Sequence, residues 1–168
     1  MSLVLTASPF PAKESLVYRR ILVPIDGSPA AVRAVEEATR LARAMTSQIR
    51  LLHVIDELSI AQAGYARNGP ADLRAEATRL LDRSIDRVRH ADVEVDSVLY
   101  DEWDGTVSSL VADEARRWHA DLVVAGTHGR RDLGEVLLGS SAERILRGSS
   151  VPVMLVHATA NESAALIA

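Results

Sequence analysis

The chain has 168 residues, 48% of them apolar and none cysteine, and 19 basic against 23 acidic side chains leave a net charge of −4. That length and apolar share can fill one core without staples, and the missing cysteines exclude disulfides and thiolate metal sites. The mild acidity gives no electrostatic reason to seek nucleic acid, and no apolar run approaches the roughly 20 residues needed to cross a bilayer.

The opening MSLVLTASPFPAKES holds a short apolar patch without a basic start, which does not fit a secretory leader, so a soluble cytoplasmic protein is the expectation. The run RRILVPID predicts a first strand covered on both faces, with Pro24 at its end because proline cannot donate to a ladder. Ser28 and Pro29 read as the cap and first residue of a helix whose inner stripe is Ala31, Ala34, Ala38, Leu41 and Met45. QIRLLHVID is the second strand, and the connection ELSIAQAGYARNGP, with its glycines and Pro70, reads as irregular. Leu73, Ala77, Leu80, Ser84 and Val88 mark a second helix, and VEVDSVLY a third strand.

Asp101, Glu102 and Asp104 precede a third helix with Val107, Leu110, Val111, Ala115 and Trp118 on its inner side, in keeping with the favourable field at helix starts. DLVVAG is a fourth strand, Ala142, Ile145 and Leu146 a short fourth helix that Gly148 can end, and VPVMLV a fifth strand. Such alternation predicts an α/β fold of three layers, a parallel sheet with helices on both faces, because parallel neighbours need crossovers. The expected organisation is an arm over 1–18, one domain over 19–157 and a tail over 158–168.

Ligands in open α/β sheets sit outside the carboxyl ends of the strands. The segment GTHGRRDLGEVLLGSS starts at such an end, and Gly126 and Gly129 permit a tight turn with exposed amides that a ligand can approach. Gly139, Ser140 and Ser141 fall at the start of the fourth helix, where unpaired N–H groups and the dipole favour a phosphate. The same residues also suit an ordinary turn and cap. A Walker loop is excluded, because Lys13 is the only lysine; Arg130 and Arg131 offer positive charge instead, or are simply solvated. At the end of the first strand Asp26 can accept from a ribose or an adenine, or can merely form an Asx-turn, and Gly27 keeps that turn open.

The stretches ILVPIDGSPAAVRAVEEA, LLHVID, ADLVVAGTHGR and LLGSSAERILRGSSVPVMLV resemble the universal stress protein family, of the type whose ATP-binding members carry Gly-x2-Gly-x9-Gly followed by Ser or Thr. Here that pattern is Gly126, Gly129, Gly139 and Ser140, within a likeness from about Arg20 to His157. The resemblance implies a five-stranded sheet in the order 3-2-1-4-5, with Pro24 matching the family's proline. It implies adenine near Asp26 and the backbone of Val54, ribose and phosphates along Gly126 and Gly129 with Arg130 beside them, and the phosphate tail at Gly139, Ser140 and Ser141. It also implies ATP as ligand, with or without Mg2+, and a homodimer through the fifth strand. Arg131 and Asp132 depart from the small or neutral residues common there, and Asp132 repels a triphosphate unless magnesium or an arginine intervenes.

Catalytic equipment is sparse. His128 is the one histidine placed to act as a base beside a phosphate, though a loop histidine is more often just exposed. Ser140 and Ser141 have no evident base, and His53 reads as a core histidine bonded to a neighbour. Activity beyond slow ATP hydrolysis or autophosphorylation is not anticipated. A receiver domain would need a lysine after the last strand, and a flavodoxin-like carrier a phosphate loop after the first; neither is present. The competing reading is a related module that binds no nucleotide and acts through an unknown protein partner.

Overall fold

The computed structural model describes residues 18–55, 70–101, 105–127 and 138–158. Within them the order is β1 (Arg20–Pro24), α1 (Pro29–Met45), β2 (Gln48–Val54), α2 (Pro70–Arg89), β3 (Val95–Tyr100), α3 (Val107–Trp118), β4 (Leu122–Gly126), α4 (Ser140–Gly148) and β5 (Val153–Val156). The strands form one parallel sheet ordered β3-β2-β1-β4-β5, as anticipated. Ile21, Val23, Ile49, Leu51 and Val124 pack beneath α1 and α2, while Leu22, Leu52, Val123 and Ala125 pack beneath α3 and α4. The alternation of side chains along each strand thus builds two cores on one sheet.

Helix α1 starts where expected. Ser28 is the cap, with its Oγ accepting from the Ala31 N–H at 3.2 Å, and Pro29 follows as the first helical residue. Because Ser28 is only 3% exposed, water cannot replace this bond, and Ser28→Ala is expected to lower stability by about 1 kcal/mol in urea unfolding. The inner stripe leans differently from the one anticipated. Val35 and Ala42 are buried, whereas Leu41 and Met45 lie half-buried at its margin. Pro70, read as a loop residue, opens α2, a position that proline's fixed φ suits. At α3 the stop-start signal is a capping box of Thr106 and Ser109. Gly148 is the last residue of α4, and the helix closes through the Ser149 N–H on the Ile145 carbonyl, with no left-handed residue at the cap.

Pro24 has a clear physical place. Arg19 O accepts from Gln48 N and Ile25 N donates to Leu52 O, both at 2.8 Å, so the odd residues of β1 face β2 and Pro24 faces β4. Pairing with β4 covers only Ile21 with Leu122 and Leu22 with Val123, whereas pairing with β2 runs on to Pro24 with Leu52. Lacking an N–H, Pro24 cannot supply the next rung toward β4. The two central strands are therefore unzipped at their carboxyl ends, and a crevice opens there.

Candidate functional site

One wall of the crevice is the turn after β1. Asp26 Oδ1 accepts from the Ser28 N–H at 2.9 Å, the Asx-turn weighed above, and Gly27 takes φ +81°, which a side chain would strain. At the end of β4 stands Gly126, and packing supplies a reason for the glycine beyond the one anticipated. Its φ is not in the left-handed region, and a Cβ built on it would lie 2.8 Å from Ala30 C and 2.9 Å from Ala31 N. The first turn of α1 rests directly on Gly126, so the missing side chain admits the helix.

The other wall is the start of α4. Thr127 N–H donates to the Val156 carbonyl and Gly139 N–H to the Thr127 carbonyl, each at 2.8 Å, so both ends of the glycine segment are tied at one neck. Thr127 Oγ1 lies 3.1 Å from His157 Nδ1. Gly139 is the helix cap, and no side chain caps this end. Ser140 and Ser141, expected as caps or phosphate donors, are exposed in the first turn. The Glu143 carboxylate in that turn is paired with Arg147 at 3.0 Å, which limits its opposition to an anion. The start of α1 rests on Gly126 and the start of α4 is bonded to Thr127, so two helix amino ends flank the end of β4 from opposite faces of the sheet, beside the unzipped strands.

Of the residues assigned to the site, Pro24, Asp26, Val54, Gly126, Gly139, Ser140 and Ser141 sit at the carboxyl ends of strands or at helix starts on this side of the sheet. Gly129, Arg130, His128, Arg131 and Asp132 lie outside the described residues. Among the described residues no His, Asp and Glu cluster is arranged to hold a metal ion. A cleft of about 510 Å³ between Arg19, Arg20, Met45, Thr46, Gln48 and Glu94 lies at the opposite end of the sheet, beside the negative end of α1. It takes no part in the crevice.

A buried charge cluster escaped the sequence reading. Glu114 on α3 is 2% exposed, and it accepts from Arg50 and Tyr100 at 2.7 Å and from Arg117 at 2.9 Å. Arg50 also donates to both oxygens of Asp96 and lies 4.8 Å from the Trp118 ring centre. Burial pushes the Glu114 carboxyl up, but hydrogen bonds from Tyr100 and Arg50, with the charges of Arg50 and Arg117, outweigh it and hold it below the usual value of 4.5. Burial, followed by the bond to Glu114, raises the Tyr100 phenol. The signals were present: Glu114 falls within the inner stripe of α3, and Arg50 stands between the apolar Ile49 and Leu51 of β2.

The universal stress protein family model matches residues 17–157. The chain belongs to that family. Universal stress protein MJ0577 of Methanocaldococcus jannaschii is 26% identical over 156 residues, spanning 84% of this chain and 96% of the relative. A structure of MJ0577 superposes with a TM-score of 0.73, covering 86% of this chain and 99% of that one. A universal stress protein solved in complex with cAMP is 24% identical with a TM-score of 0.63, covering 85% of this chain and 99% of its own. One from Archaeoglobus fulgidus in complex with dAMP is 19% identical with a TM-score of 0.59, covering 84% and 99%. Within this universal stress protein no helix among the described residues is long and apolar enough to cross a membrane.

Proposed function

We propose that this universal stress protein is a cytoplasmic ATP-binding regulator, with residues 19–157 as its nucleotide-binding unit. The observation that carries the reading is the pair of helix amino ends that flank the end of β4, one of them capped only by a glycine, beside strands that Pro24 keeps apart. Such ends offer N–H groups and positive dipole to a polyphosphate. Asp26 and the main chain of Val54 hold the adenine, Gly126 and Gly129 border the ribose and phosphates, and Arg130, Gly139, Ser140 and Ser141 hold the phosphate tail. Mg2+ arrives with the nucleotide. Relatives captured with cAMP and with dAMP support an adenine nucleotide as the ligand class.

Nucleotide occupancy orders the segment from Thr127 to Leu138 and changes a surface that a protein partner reads, a switch that needs no turnover. ATP with Mg2+ at 100 times its Kd is expected to stabilise the fold by about 2.7 kcal/mol, seen as a rise in melting temperature. Gly129→Val is expected to remove that rise while the ligand-free protein melts as the wild type does. No rise in the wild type favours the module that works through protein contacts alone.

The chain also pairs with a second copy along β5. Met154 at 38% and Leu146 at 45% exposure leave apolar side chains beside an edge strand that carries no charge, a combination that invites pairing. Sedimentation equilibrium is expected to give twice the chain mass, and Met154→Asp the single-chain mass.

A further inference from the structure

His53 has no part in the nucleotide assignment above, yet it sits where β2 reaches the crevice. It is 5% exposed, and its Nδ1 lies 2.7 Å from the Ile25 carbonyl, one residue before Asp26. A carbonyl only accepts, so Nδ1 carries the proton in this contact. The position of the contact in the ladder is informative. Ile49 N and Ile55 N donate to Glu94 O and Tyr100 O, toward β3, whereas Ile25 N donates to Leu52 O, so the even residues of β2 face β1. A parallel ladder would next join the Ile25 carbonyl to the Val54 N–H. The imidazole occupies that acceptor instead.

We propose that His53 is a positioning residue for the base. By donating to Ile25 it ends the β1–β2 ladder with a side chain, leaves the Val54 N–H facing the crevice for a ring nitrogen of adenine, and fixes the turn that carries Asp26. The proposal rests on the nucleotide-binding reading above. Its signature is a dependence on the donor at Nδ1 rather than on the volume of the ring.

Two variants of the full chain separate these properties. His53→Phe keeps the ring and loses the donor, and His53→Asn loses the ring but places an amide N–H near the Nδ1 position. In calorimetric titration with ATP, His53→Phe is expected to bind about tenfold more weakly than the wild type, and His53→Asn within about threefold of it. The opposite order, with the phenylalanine variant binding like the wild type and the asparagine variant weakened, makes His53 a packing residue and overturns the proposal. A second readout needs no variant. In the wild type the Val54 amide is expected to exchange its hydrogen faster than the Leu52 amide, and to gain protection when ATP is added. Equal protection of the two amides in the ligand-free protein overturns the proposal even if His53→Phe does not fold. Absence of ATP binding by the wild type removes the nucleotide reading along with it, whereas full-strength binding by His53→Phe removes this proposal alone.

Discussion

Glu114→Ala is expected to destabilise the protein by about 3 kcal/mol at neutral pH, the lower end of what breaking a buried ion pair costs. The side chain lies almost wholly inside, and its removal strips Arg50 of one carboxylate and Tyr100 of its acceptor. Arg50 keeps Asp96, and Arg117 is already in water, which limits the loss. The pH dependence has a definite sign. The folded state holds the Glu114 carboxyl below its usual value of 4.5, so its stabilisation is complete above that value and is lost as pH falls through the lower folded value. Urea unfolding of wild type and variant is therefore expected to give a constant gap near neutrality that narrows below about pH 4.5. A gap that widens in acid would mean the carboxyl is held protonated.

Gly126→Ala is expected to cost about 1–3 kcal/mol, the range for forcing extra volume into a close-packed contact. The colliding atoms, Ala30 C and Ala31 N, belong to the main chain of α1, so no side chain can turn aside and the helix itself must move. Each kcal/mol is expected to appear as about 2–4 °C in melting temperature. Because that helix start forms part of the crevice, ATP affinity should fall together with stability. A variant as stable as the wild type would show that α1 leaves room for a Cβ at Gly126.

These two residues also show where reading the sequence reaches its limit. The strand and helix alternation, the cap at Ser28 and the proline at the end of β1 were legible because each is written in neighbouring residues: a period, a cap before Pro29, a residue that cannot donate. The strand order came from resemblance to the family, since periodicity alone says nothing of which strands adjoin. Gly126 was picked out as a glycine at the end of a strand, but its reason lay nearly a hundred residues earlier, in the helix that rests on it. Glu114 and Arg50 went unread, because only the packing of α3 across β2 and β3 supplies their partners. His53 was legible as a bonded core histidine, while the carbonyl it meets became visible only once β1 and β2 were set in register.

At the centre of the account stands the claim that a nucleotide lies between the turn at Asp26 and the first turn of α4. A crystal structure grown with excess ATP and Mg2+ tests it most directly. Adenine is expected against Asp26 and Val54, with the phosphates beside Gly139 and on the N–H groups of Ser140 and Ser141. Density for ATP in any other place, such as the cleft lined by Arg19 and Arg20, or a crevice that stays closed by the protein's own side chains, would contradict it.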